Sequence, residues 1–222
     1  MRTDRPDWLK PVVDSLSDVA AADLTAWAPP TDSNPRQSAV LLLFAEDERG
    51  PYVLLTERAH TMRSHPGQVS FPGGKLDRHE TVVEAALRES YEEVGLEPSG
   101  VDVLGALPTL WVPPSNFSVT PVVGWWAESS GVTVKSADEV HAIHKATIKD
   151  LCDPAWRIRV HSPRAPGFVM PGFLIGEDHD VILWGFTGGV IHRYFAFMGW
   201  LTDVDDAPLV ELPDYMLNGE GR

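Results

Sequence analysis

The chain is poor in cysteine, in positive charge and in long apolar runs. Cys152 is the single cysteine among 222 residues, so no intrachain disulfide can form and a disulfide-built secreted scaffold is excluded. Lys and Arg number 18 against 32 Asp and Glu, a formal net charge of −14. That balance argues against a nucleic-acid partner, whose phosphate backbone would be repelled. The longest apolar run, residues 39–45, is far too short to span a bilayer, which argues against a membrane partner. The start, Met1-Arg2-Thr3-Asp4-Arg5-Pro6, lacks the apolar core of a signal peptide. The expectation is a cytoplasmic protein, and no internal repeat or low-complexity tract interrupts it.

What is present is enough for a sizeable core: 43% hydrophobic residues, with eight Trp and eight Phe to supply large buried area. Residues 7–28 carry Trp8, Val12, Val13, Leu16, Val19 and Leu24 at loose helical spacing and are expected to form an accessory helix. Pro29-Pro30 ends that stretch. Residues 38–44 and 52–55 flank the polar turn Glu46-Asp47-Glu48-Arg49-Gly50, which predicts a β-hairpin. Residues 59–80 hold Pro66, Gly67, Pro72, Gly73 and Gly74 and read as a loop. Further strands are expected at 101–107, 118–126, 157–161 and 168–175, and a last helix over 181–201. This mixture lacks regular βαβ alternation and points to a mixed sheet with helices on its faces. The chain divides into an N-terminal helical extension (1–34), a main domain (35–203) and a C-terminal tail (204–222), and Asp203-Val204-Asp205-Asp206 is expected to be solvated.

The clearest helix runs from Thr81 to Val94. Thr81 and Glu84 fit a capping box, and Gly95 supplies the left-handed stop. Val83, Leu87, Tyr91 and Val94 form the stripe expected to pack inward. Glu89, Glu92 and Glu93 stand at i, i+3 and i+4, where each like-charge pair costs roughly 0.2–0.5 kcal/mol. A hard divalent cation would offset this, since Mg²⁺ takes carboxylate oxygens and shares its remaining positions with water and substrate phosphates. Phe71-Pro72-Gly73-Gly74, just before the helix, brings backbone close to such an ion or a phosphate.

From Gly74 to Leu96 the chain reads Gly-x5-Glu-x7-Arg-Glu-Ser-x-Glu-Glu-x-Gly-Leu, fixed at Gly74, Glu80, Arg88, Glu89, Glu92, Glu93, Gly95 and Leu96. This resembles the Nudix box, the loop–helix–loop signature of hydrolases acting on nucleoside diphosphates linked to another group. Ser90 departs from it, standing where the family usually has an apolar residue, at the expected edge of the packed face. The resemblance implies an α/β (mixed α+β) fold: a Nudix-type α/β/α sandwich with a mixed β-sheet. It also implies Mg²⁺ or Mn²⁺ on Glu89 and Glu93, with Glu92 joining directly or through water. Arg88 would orient a glutamate by ion pairing, with Glu84 and Glu92 as its i±4 neighbours. Glu89 or Glu139 would take the proton from the attacking water.

The segment before the box narrows the substrate. Arg58, His60, Arg63 and His65 form a basic patch in an acidic chain, suited to several phosphates. Residues 54–74 resemble the extra motif of coenzyme A Nudix hydrolases, with Arg58, Arg63, Gly67 and Phe71-Pro72-Gly73-Gly74 in place and Ala59 replacing a serine. The resemblance implies cleavage of coenzyme A or acyl-coenzyme A to 3′,5′-ADP and (acyl-)4′-phosphopantetheine, with Arg58, Arg63, His65, Gly73 and Gly74 on the substrate, and a homodimer. ADP-ribose, a dinucleotide or a nucleoside triphosphate is the rival substrate, and a non-catalytic nucleotide-binding protein the rival of another class. Trp111, Phe117, Trp125 and Trp126 are read as core before they are read as an adenine platform. His141, His144, His161, His179 and His192 show no zinc-like clustering with the lone Cys152 and are read as structural or exposed.

Overall fold

A computed structural model describes residues 5–62, 65–113, 115–127, 131–161, 167, 169–202, 207–213 and 216. In chain order the elements are α1 (Lys10–Ser15), α2 (Ala21–Leu24), β1 (Arg36–Asp47), β2 (Gly50–Arg58), β3 (Val69–Ser70), β4 (Gly73–Lys75) and α3 (Val82–Val94). There follow β5 (Val101–Ala106), β6 (Leu110–Val112), β7 (Phe117–Trp126), β8 (Val140–Thr147), α4 (Ile148–Cys152), β9 (Arg157–His161), β10 (Val169–Ile175), β11 (Val181–Leu183), α5 (Gly185–Phe197) and β12 (Leu209–Val210).

The apolar run at 39–45 becomes the middle of the molecule. β1 pairs parallel with β7 and antiparallel with β2 and β4, inside an eight-stranded mixed sheet whose path runs β3-β2-β1-β7-β5. A strand covered on both faces reads as a continuous apolar run instead of an alternating one, and residues 41–45 are all fully buried. Alternation then assigns the faces. Leu42 and Phe44 join a cluster with Leu9, Val12, Ile191 and Phe195, from the N-terminal segment and α5. Leu41, Leu43 and Ala45 join Ala85, Ala86 and Val94 of α3 on the other side. Helices on both faces of a mixed sheet make the α/β/α sandwich. A second sheet of four strands, β11-β10-β9-β12, forms its own ladder and shares a core with the first through Phe173, Ile175 and Leu183.

Three expectations need correction. The N-terminal stretch is a short 3-10 turn followed by α1 and α2, not one helix. Ser15 turns its hydroxyl back to the Val12 carbonyl and to Tyr194 of α5 at 2.8 Å, and Asp23 caps a new start at Ala20. Tertiary anchoring decides these ends, where helical propensity is weak. The expected last helix is two elements, because residues 181–183 pair with β10 and Gly185, at φ +69°, turns the chain into α5. The segment 59–80 contains β3 and β4, which hydrogen-bond to β2 and β1. The stretch expected to be solvated, residues 203–206, lies outside the described residues.

Burial pushes the Tyr194 hydroxyl up to about 12, and its bonds to Ser15 and to the Val12 carbonyl at 3.2 Å fasten α1 to α5. Tyr194→Phe is expected to lower the unfolding free energy by about 1 kcal/mol. Denaturant unfolding checks this, and an unchanged midpoint would remove that hydroxyl from the docking of the N-terminal segment.

Candidate active site

The box helix forms as its ends dictate. The Thr81 hydroxyl accepts from the Glu84 amide, Glu84 accepts from the Thr81 amide at 2.8 Å, and Gly95 closes the helix in the left-handed conformation. The buried face differs from the expected stripe. Tyr91 is 46% exposed, while Ala85, Ala86, Ser90, Glu93 and Val94 are buried. Small side chains let α3 lie close against the sheet. Ser90 is at the centre of that face, not its edge, and donates to the Ala86 carbonyl at 2.6 Å, which satisfies an otherwise costly buried hydroxyl.

This rotation carries Glu93 inward, to 5% exposure, where its carboxylate accepts from the Gly73 amide at 3.3 Å. Glu89 lies against Gly74. A Cβ on Gly74 would stand 2.3 Å from Glu89 Oε1, so the glycine makes room for the carboxylate. The adjacent Gly73, at φ +151°, lies so near β1 that a Cβ would meet the Ala39 carbonyl oxygen at 2.4 Å. The two glycines thus allow β4 to sit between β1 and the acidic face of α3. Ser38, not anticipated from sequence, donates to the Gly74 carbonyl and fixes that strand.

Arg88 organises the outer side. It bonds Glu80 through Nε and Nη2 at 2.8 and 3.1 Å and the Lys75 carbonyl at 3.0 Å. It also meets Glu92 at 3.2 Å and Glu89 at 3.1 Å. The expected partner Glu84 is occupied by the Thr81 cap instead. Hydrogen bonding to Arg88 holds the Glu80 carboxyl below its ordinary range.

Glu89 and Glu93 show the opposite shift. Burial raises both, Glu93 to about 8, and each is raised further by the other acids at the site, including Glu139. Glu139 is exposed, and its carbonyl accepts from the Ala59 amide at 2.8 Å. Arg58 works against the shift at Glu93. Its Nη2 meets Met62 Sδ at 3.0 Å, while its Nε is buried without a hydrogen-bond partner among the described residues. Desolvated carboxylates with too little positive charge are the donor set a hard divalent cation needs.

The structure therefore gathers Glu89, Glu92, Glu93, Arg88, Gly73, Gly74, Arg58 and Glu139 around one end of α3. His65 is exposed on the β2–β3 connection, and Arg63 lies outside the described residues. His60 leaves the expected basic patch and bonds Glu57 at 2.8 Å. His144 bonds the same carboxylate at 2.9 Å, and the His141 ring lies 4.4 Å from that of His60. His141 and His144 thus gather around Glu57 and His60, in a group to which Cys152 does not belong. Trp125 and Trp126 are core, as expected, and Phe117 carries the Arg36 guanidinium over its ring at 4.1 Å.

A mixed sheet between helices, with a glutamate-lined helix beside a glycine strand, sets donors for a hard divalent cation next to backbone that a phosphate can approach. The family model of the NUDIX domain matches residues 35–161. "Nudix hydrolase 3" of Caenorhabditis elegans is 32% identical over 197 residues, 83% of this chain and 82% of that protein. An uncharacterised Nudix hydrolase of Cronobacter sakazakii, NudL, is 49% identical over 175 residues, 75% and 84% of the two chains. The crystal structure of the Nudix hydrolase RenU of M. smegmatis has the same fold, with a TM-score of 0.53 at 19% identity over 77% of this chain and 90% of that one. The chain belongs to the Nudix family, and it is an enzyme, a hydrolase of pyrophosphate bonds.

Two predictions follow from the geometry of Glu89 and Glu93. Gly74→Ala must displace the Glu89 carboxylate, and a shift of about 1 Å costs on the order of 10²-fold in turnover; steady-state kinetics with full activity in this variant would refute the cradle. In the metal-free protein the native state holds the Glu93 proton from the ordinary 4.5 up to about 8, whereas the unfolded chain has released it. Stability contributed by Glu93 therefore falls as pH rises through that window. Glu93→Gln is expected to remove that slope, gaining stability over the wild type toward the alkaline end, as read from thermal melts in chelator.

Proposed function

We propose that the substrate is coenzyme A or an acyl-coenzyme A, cut at its pyrophosphate to 3′,5′-ADP and 4′-phosphopantetheine or its acyl form, with Mg²⁺ or Mn²⁺ as cofactor. The observation that carries this reading is Arg58. It comes from the segment preceding the box, lies close enough to influence Glu93, and is only half-buried, so that its guanidinium can meet a ligand beside the acidic face. The exposed part of that guanidinium offers a substrate phosphate oxygen a charge-assisted bond. Arg63 and His65, later in the same connection, are assigned to the remaining phosphates, the 3′-phosphate among them.

Glu89, Glu92 and Glu93 would hold the cation, which supplies Lewis-acid polarisation of a phosphoryl oxygen and a more acidic bound water. Arg88 keeps Glu89 and Glu92 oriented through its ion pairs. The Gly73 and Gly74 backbone admits the pyrophosphate next to the acidic face. Glu139 takes the proton from the attacking water: its charge acts on both Glu89 and Glu93, yet it is free of the Arg88 network that holds Glu89. A homodimer in the cytoplasm completes this reading.

Hydrolysis of coenzyme A, acyl-coenzyme A, ADP-ribose, a dinucleotide and nucleoside triphosphates with Mg²⁺ or Mn²⁺, followed by chromatography, tests the substrate. Release of 3′,5′-ADP, fastest from coenzyme A or its acyl form, is expected. Preference for one of the others would overturn the substrate and leave the hydrolase intact. Glu93→Gln is expected to cut turnover by orders of magnitude with the fold retained, and Arg58→Ala to raise KM more than it lowers kcat. Glu139→Gln is expected to lower kcat, and an unchanged kcat would pass the proton to Glu89.

A further inference from the structure

β2 is the strand that carries Arg58 toward the box helix, and its preceding residue points the other way. Glu57 is 2% exposed, on the side of the sheet away from α3. A buried carboxylate is costly unless it is paired. Its two oxygens are taken separately: Oε1 lies 2.8 Å from His60 Nε2, and Oε2 lies 2.9 Å from His144 Nε2. These bonds hold Glu57 below the ordinary carboxylate range although burial opposes them.

A third imidazole arrives through a backbone irregularity. Glu57 pairs with Ala142, but Arg58 pairs with Val140, so His141 is the extra residue of β8. A bulge of this two-against-one kind re-aims a side chain that regular alternation would send elsewhere. Here it brings His141 beside His60, the rings 4.4 Å apart and tilted by 46°. One ligand atom from each of Glu57, His60 and His141 falls within 4.8 Å of the others. A tetrahedral centre with bonds near 2.0–2.1 Å spaces its donors by about 3.3 Å, a separation within the 4.8 Å reach of this cluster.

We propose that Glu57, His60 and His141 form a second cation site, distinct from the glutamates of α3 and selective for a borderline divalent ion of the Zn²⁺ class. Two imidazoles and one carboxylate are a donor set for Zn²⁺ and its transition-metal neighbours, whereas Mg²⁺ prefers oxygen alone. His144 is the positioning residue. It donates to the second carboxylate oxygen, the outer partner that bound carboxylates ordinarily have, while the ion displaces the proton that the first oxygen shares with His60 Nε2. His141 is exposed, which leaves the ion an open side for water. The site ties β8 to the first residues of the β2–β3 connection, two positions beyond Arg58. Its existence does not depend on which pyrophosphate the enzyme cuts.

The test is Zn²⁺ titration of tag-free, chelator-stripped full-length protein against a chromophoric competitor, in saturating Mg²⁺ to fill the acidic face of α3. One equivalent is expected to bind to the wild type and equally to Glu93→Gln. His141→Asn and His60→Asn are each expected to weaken binding by more than about 100-fold, beyond the roughly 10–100-fold loss expected for the orienting residue in His144→Gln. Circular dichroism checks folding, and His141, exposed at the bulge, decides the matter if His60→Asn misfolds. Absence of Zn²⁺ binding in Mg²⁺ overturns the site. So does Zn²⁺ that binds His141→Asn as it binds the wild type, or that is lost in Glu93→Gln.

Discussion

How closely α3 can approach β4 determines most of the chemistry in this molecule. Gly74 offers no side chain, Ala85, Ala86 and Ser90 offer small ones, and the helix settles against the sheet until Glu93 is enclosed and Glu89 rests on bare backbone. The upward shifts of Glu89 and Glu93 follow from that approach. The two inner carboxyls lose water and rise, while Glu80, bonded to Arg88 on the outer side, is lowered. One face of α3 thus holds two acids raised by burial, while Glu80, in the segment before the helix, is lowered by its bond to Arg88.

Much of this was legible in the residues. The caps of α3, the hairpin of β1 and β2 and the strands near 101–107, 118–126, 157–161 and 168–175 announce themselves through local chemistry: Thr81 with Glu84, Gly95, polar turns and β-branched runs. The Nudix box fixed which acids would gather. What was not legible depends on partners distant in the chain. Tyr91 reads as core on periodicity, but the helix is rolled so that Ser90 and Glu93 face the sheet, a choice made by β4 and not by α3. Residues 181–183 are too short and too apolar to declare strand or helix until β10 is beside them. β8 is hidden in its sequence, Val-His-Ala-Ile-His-Lys-Ala-Thr, which lacks a clean apolar alternation.

The histidines mark the sharpest limit. Nothing in their spacing relates residues 60, 141 and 144 to Glu57. The relation is made by the antiparallel register of β2 and β8 and by one unpaired residue in that ladder. An extra residue in a strand leaves no compositional trace, so a site built on one is invisible before strand pairing is known. Arg58 and Glu57, adjacent in sequence, end on opposite faces of the sheet for the same reason that makes a strand two-sided.

The parallel pairing of β1 with β7 reaches beyond the finished structure. Arg36 pairs with Phe117 and Ala45 with Trp126, so the most apolar strand waits for a partner made long after it. During synthesis β1 can close its hairpin with β2 early, but its other edge stays open until β7 has left the ribosome. Non-local parallel pairing is slow to form, and an open apolar edge invites association with other chains. The nascent polypeptide therefore passes through an interval in which crowding by its own copies competes with folding, and slower translation between β2 and β7 would lengthen that exposure.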